Sequence, residues 1–359
     1  MKPAARRALA AAAAAAALLL LAAYSALHRQ TLYTTTWFDV FDTVSIVQGY
    51  ARSQAEWDAQ MDALHDDLVH YHQLFDIYHT YDGVTNLHDV NARAADAPVA
   101  VEDDLYGFLR WYTAQAVPET GGAVNIAAGA VLGLWHDARE SDAPAPPEEE
   151  AIREALTHCD PADLLLDDAA QTVAFADPAM ALDVGAVAKG YAVEAAAAAA
   201  EERGLQSALL NIGGNVRAIC EKANGEGAWT AGVTNPWGGD PAYIQAVELP
   251  DGCSLVISGD YQRYFTYEGQ RYSHLIDLTT GWPARYCTSV AVLTPPRRGG
   301  SGDAFSTALF CLPETDGRAL LDAQDGFAAL WMYPDGTTAQ TEYWPGQPSK
   351  GATVAHGGA

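Results

Sequence analysis

The sequence predicts an α+β fold in which a sheet of short strands packs against helices. Three observations carry this. Short β-like runs at residues 229–233, 246–249, 254–258, 289–293 and 328–333 follow one another with turns between them. Helical stripes interrupt the strands unevenly, unlike the regular alternation of a doubly wound sheet. The 359 residues are 49% apolar and only 18% charged, enough to bury a large core and to exclude a disordered chain.

From the N-terminus, residues 8–27 form an almost unbroken apolar run, opened by Lys2, Arg6 and Arg7 and closed by His28 and Arg29. About 20 residues at about 1.5 Å each span the roughly 30 Å of bilayer hydrocarbon, and the basic flank orients that end to the cytoplasm. Residues 1–30 are thus expected to be a membrane-targeting helix, either an uncleaved signal anchor or a signal peptide cut near Ala23 and Ser25. The rest is then expected at the cell membrane on its extracytoplasmic side, or exported. Residues 31–345 are expected to form the folded domain and 346–359 a flexible tail.

The next elements follow in order. Residues 36–50 are rich in Thr, Val, Ile and aromatics and read as a strand or hairpin. Within 53–78, Trp57, Met61, Leu64, Leu68, Tyr71 and Phe75 recur at threes and fours, a helical core stripe. A second helical pattern covers 101–117 through Leu105, Phe108, Leu109 and Trp111. Residues 141–150 combine Pro with acid, a solvated connection and possible lobe boundary before a helix near Glu149. Residues 181–204 read as a strand ending at Asp183, a glycine turn and an Ala-rich helix stopped by Gly204. A strand broken by Gly213 and Gly214 comes next.

Charge narrows the function. Twenty Lys and Arg against 46 Asp and Glu leave −26, which repels nucleic acid and makes a phosphate-ester substrate awkward without a divalent cation. Cys159, Cys220, Cys253, Cys287 and Cys311 have long, irregular spacings and no CxxC pair, so they are expected to be packed thiols.

Oxygen ligands for such a cation stand at Asp303 and Thr307, four apart in an apolar helical run and therefore on one face. The alternative reading makes Asp303 a helix N-cap and Thr307 a hydroxyl bonding back to its own helix. Lys189, near a helix N-terminus after an acid at a strand end, suits a phosphate, although neither GxGxxG nor a P-loop is present. The stretch 257–283 gathers Asp260, Arg263, Arg271, His274 and Asp277 among aromatics, able to hold an anion, stack on a flat ring and move a proton.

Taken together, FDT at 41–43, DVGAVAKGYAVE, ALLNIGGNVRA, SGDYQRYF, SHLIDLTTG and GDAFSTALF occur in an order that resembles the FAD:protein FMN transferase (ApbE) family over residues 35–335. The resemblance implies mixed, largely antiparallel sheets with packed helices. It also implies FAD as substrate, Mg²⁺ as cofactor, and transfer of FMN to a Thr or Ser hydroxyl of a partner protein with release of AMP. Carried over position by position, it makes Ala186 (through its carbonyl), Asp303 and Thr307 the metal ligands, and His274 and Asp303 the catalytic residues. Phe41, Tyr78, Ala123, Val124, Asn125, Asp183, Lys189, Gly213, Gly214, His274, Leu275 and Ile276 become FAD contacts. Three positions depart from the family pattern: Phe41-Asp42-Thr43 replaces Met-Gly-Thr, Val124-Asn125 replaces Phe-Asp, and Leu278 replaces a proline. Asp277 stays open as an alternative base. FAD hydrolysis to FMN and AMP, or flavin binding without catalysis, are the rival activities.

Overall fold

The computed structural model describes residues 30–345. The expected N-terminal targeting helix and the C-terminal tail lie outside the described residues. Among the described residues no helix is long and apolar enough to cross a membrane.

The chain enters as a hairpin of β1 (Thr31–Val40) and β2 (Thr43–Ala51). Helix α1 (Gln54–Phe75) follows, capped by the Ser53 hydroxyl, which accepts from the Glu56 N–H. It buries Trp57, Met61, Leu64, Leu68 and Phe75 of the expected stripe; Tyr71 is half-buried, and Tyr78 lies beyond the end. Helix α2 (Asp103–Trp111) starts two residues later than its pattern and runs through a π-helical turn, Tyr112–Ala116, into the short helix Val117–Glu119. Helices α3 (Gly129–Glu140), α4 (Glu149–Leu156) and α5 (Ala188–Glu202) come next. The strand expected up to Asp183 is instead a loop. Ala181 makes one isolated bridge to Ala128, and the Asp183 N–H is spent on the Ile126 carbonyl.

Strands β3 (Ala208–Ile212), β4 (Asn215–Ile219), β5 (Trp229–Thr234), β6 (Tyr243–Leu249), β7 (Ser254–Gly259), β8 (Tyr264–Tyr267), β9 (Gln270–Ser273) and β10 (Ser289–Leu293) lead to helix α6 (Gly299–Cys311). Strands β11 (Ala328–Met332) and β12 (Thr338–Gln340) close the domain. Eight of these strands form one sheet in the order β1-β2-β3-β4-β7-β10-β11-β12, every neighbouring pair antiparallel. The α+β expectation stands.

The sheet is the middle layer. Along β4, Val216 and Ala218 face the β5–β6 hairpin, whereas Arg217 points to the helices. On β11, Ala328, Leu330 and Met332 face the hairpin core, and Ala329 and Trp331 pack with Phe305 and Leu309 of α6. Both faces of these central strands are buried, which is why they read as continuous apolar runs. Arg217 is fully buried and bonds Glu194 and Glu201 of α5 at 2.9 and 3.0 Å, tying helix to sheet. All five cysteines are free thiols.

Candidate active site

The site is built where α5 and α6 cross. Gly190 sits in the first turn of α5, and a Cβ there would lie 2.5 Å from the Asp303 Cβ and 2.7 Å from the Gly299 carbonyl, so only glycine permits this approach. The Gly190 N–H donates to Asp303 Oδ2 at 2.8 Å, an anion held at a helix N-terminus. Asp303 lies in the second turn of α6, not at its cap: the helix begins at Gly299, five residues earlier than the N-cap reading requires. Burial raises the Asp303 carboxyl above its ordinary range, opposed by Lys189, the Gly190 N–H and the adjacent Asn215 amide.

One turn further along α6, the Thr307 hydroxyl reaches the Ala186 carbonyl at 3.5 Å and makes no bond back to its own helix; Ser306 makes that bond, to the Asp303 carbonyl. Helix spacing and the 183–187 loop thus bring a carboxylate, a hydroxyl and a main-chain carbonyl to one corner. All three are hard oxygen donors, the set that suits Mg²⁺. Among the described residues no three His, Cys, Asp or Glu side chains gather in metal-binding fashion, so this corner is of a different kind.

A cationic wall stands beside it. Asp183 is half-buried, and desolvation raises its carboxyl, with the Gly185 N–H (2.9 Å), His136, Arg263 and Arg139 opposing. Tyr78 donates to His136 Nδ1 at 3.0 Å and stacks on that ring at 4.6 Å; Arg139 reaches the same nitrogen at 3.0 Å. His274 is pushed down to about 4, first by burial and then by Lys189, Arg263 and Arg139, against a bond to the Arg263 carbonyl. That carbonyl can only accept, so Nδ1 carries the hydrogen and donates at 3.1 Å. Nε2 is left as a free base.

Asp183, Lys189, His274 and Tyr78 therefore come together with the oxygen corner. Other expected contacts take different places. Val124, Leu275 and Ile276 are buried in the core, and their carbonyls are engaged within the protein, by the Tyr112 hydroxyl, the Ala284 N–H and the Cys311 thiol respectively. Asn125 uses both ends of its amide on the Cys159 carbonyl and the Ala127 N–H, and Ala123 is half-buried against the core. Phe41 forms the β1–β2 tip at φ 55° and takes its N–H to His72; Gly213 (φ 57°) and Gly214 form the β3–β4 turn, where a Cβ on Gly213 would meet Thr43 at 2.6 Å. Asp277 is engaged by Thr279 and by the Tyr286 hydroxyl, so it is a turn-former with little freedom to act as a base. His136 and Arg139 escaped the sequence reading. Their i,i+3 spacing places them on one helix face but does not show what they face.

An antiparallel α+β protein with cationic side chains gathered beside an all-oxygen corner is the class that fold and site define. Within that class the chain belongs to the ApbE family, whose model matches residues 38–331. It is 37% identical over 259 residues to the FAD:protein FMN transferase of Treponema pallidum, covering 68% of this chain and 70% of the relative. It is 30% identical over 245 residues to that of Klebsiella pneumoniae, covering 68% and 73%. The ApbE protein of Thermotoga maritima has a crystal structure that superposes with a TM-score of 0.77 at 28% identity, covering 87% of this chain and 97% of that one.

Proposed function

We propose that this protein transfers FMN from FAD to a hydroxyl of a partner protein and releases AMP, with the oxygen corner holding Mg²⁺. The observation that carries the reading is the Asp303, Thr307 and Ala186 oxygen set beside the cationic Lys189, Arg139 and Arg263 in a protein of net charge −26. Such a chain gathers cations where it must hold an anion.

Asp303, Thr307 and the Ala186 carbonyl would hold the ion. When bound, it supplies charge neutralisation to the FAD pyrophosphate and to the departing AMP. Lys189, at the N-terminus of α5, binds phosphate oxygens and gains from the helix dipole. Tyr78, braced by His136, offers a flat face to a ring of FAD.

The attacking oxygen comes from a Thr or Ser of the partner. It forms an ester bond to the phosphorus of the FMN half as the anhydride bond to AMP breaks, and AMP leaves with the bridging oxygen. His274 accepts the hydroxyl proton at Nε2, which is unprotonated at neutral pH. The apolar N-terminal run supports placing this reaction at the outer side of the cell membrane, on membrane or exported partners.

The test incubates the full chain with FAD, Mg²⁺ and candidate exported proteins, then looks for a flavin-fluorescent band on a denaturing gel. A labelled acceptor together with AMP is the expected result. Free FMN without a labelled band would make the protein a pyrophosphatase instead.

A further inference from the structure

The outer face of the central sheet is covered at one end and bare at the other. The β5–β6 hairpin packs over β4, β7, β10 and β11 and reaches as far as Tyr50 of β2 and Leu209 of β3. Beyond those two residues, the β1–β2 hairpin turns only its inner face to a partner layer, packing Tyr33, Trp37 and Val47 with α1. Its outer face carries Leu32, Thr34, Thr36, Val44 and Ile46, all exposed, with Leu32 opposite Tyr50 and Thr36 opposite Ile46. Phe38 joins them. Its neighbours Trp37 and Asp39 both turn to His65 of α1, so Phe38 points the other way and is 74% exposed.

Two features set this face apart. The other exposed large apolar side chains among the described residues are tyrosines and Leu165, so exposed aliphatic and phenyl surface is concentrated here. The face also bears no ionisable side chain, in a chain with 46 acidic residues; Thr34, Thr36 and Gln48 lie between its apolar groups. An acidic surface is repelled by anionic headgroups, and an uncharged apolar one is not.

The chain ahead of the hairpin points to what lies against it. Only His28, Arg29 and Gln30 separate the apolar run ending at Leu27 from Thr31, where β1 begins. Such a link reaches at most about 14 Å. The headgroup layer is roughly 6 Å thick, so with the run in the bilayer Leu32 lies at or just beyond the headgroups. A strand standing upright would offer lipid Leu32 alone. The apolar row instead continues about 20 Å along β1 to Phe38 and returns on β2 through Val44 and Ile46, which suits a strand lying flat.

We propose that the outer face of the β1–β2 hairpin lies on the membrane surface, with Leu32, Phe38, Val44 and Ile46 entering the headgroup layer. This surface rests on the membrane placement of the apolar run put forward above, and not on FMN transfer.

The test reconstitutes the full chain in phosphatidylcholine vesicles with one photoreactive benzoylphenylalanine, placed at Phe38, at Val44, or at Tyr343. Tyr343 is also exposed but follows β12, at the opposite edge of the sheet. Vesicles are floated, irradiated and analysed by mass spectrometry. Lipid adducts are expected from positions 38 and 44 and none from 343. A chain that floats without adducts at 38 and 44, or with equal adducts at all three positions, overturns the docked face while leaving the anchor in place. Crosslinks from 38 or 44 to residues 8–27, or to a second copy of the chain, in place of lipid overturn it as well, since the face then has another occupant. A chain that does not float overturns the membrane placement and this surface together, and the FMN-labelling gel still decides the transfer reading.

Discussion

His274 shows how one residue's chemistry is set by its surroundings. Burial and three cationic neighbours hold its imidazole neutral, with its conjugate acid pushed down to about 4 against an ordinary 6.5. In an NMR titration of the ring protons, His274 should stay unprotonated from pH 7 down to about pH 5; a midpoint near 6.5 would remove it as a pre-formed base. The depressed value has a stability sign as well. Between 6.5 and about 4 the unfolded chain takes up a proton that the folded one refuses, so this group lowers stability as pH falls through that window. Asp303 acts in the opposite direction. Its folded carboxyl is raised by burial, so its contribution to stability is fully present below the unfolded value and is lost as pH rises through the folded one. Asp303→Asn should therefore raise the cation-free melting temperature at neutral pH while abolishing FMN labelling. A lower melting temperature would mean the carboxylate is a net stabiliser even without an ion.

At the scale of elements, the α5–α6 crossing places the site. Gly190→Ala puts a methyl group into the Asp303 Cβ and the Gly299 carbonyl. We expect it to cost about 1–3 kcal/mol by denaturant unfolding and to weaken labelling because Asp303 loses its N–H partner. Wild-type stability and rate in this variant would show that the helices part without consequence. The Arg217 bridge between α5 and β4 is a separate device. Arg217→Ala leaves Glu194 with only the Gly299 N–H and Glu201 with only Arg297, and should destabilise by about 3–5 kcal/mol in the same measurement. A loss below about 1 kcal/mol would mean water reaches both carboxylates.

The elements also show what local pattern can and cannot reveal. The α1 stripe and the strands of the central sheet were legible because each periodicity is written in side chains that the core then buries. The start of α6 was not. Gly299, Gly300, Ser301 and Gly302 look like a turn by propensity, yet they are helical because α5 and the Trp111 ring pack too closely for larger residues. Residues 181–183 read as the end of a strand but lie in a loop, since Leu182 is buried by tertiary packing and not by a ladder; the glycine turn expected after Asp183 is present. The oxygen pair of Asp303 and Thr307 was legible from spacing on one helix face. The Ala186 carbonyl came only through the family resemblance, because a main-chain ligand leaves no side-chain signal.

For the whole molecule, the layered sheet explains why a strongly acidic protein can hold an anionic substrate. Most of its carboxylates are spread over the surface, whereas the Lys189, Arg139 and Arg263 charges converge on His274 beside the oxygen corner. The account stands on a cation occupying that corner. The direct measurement is anomalous diffraction from a crystal of the protein grown with FAD and with Mn²⁺ in place of Mg²⁺. We expect one Mn²⁺ peak bonded to Asp303, Thr307 and the Ala186 carbonyl and touching the FAD pyrophosphate. A pyrophosphate bound with no peak at those three oxygens, or a peak held by other residues, would contradict it.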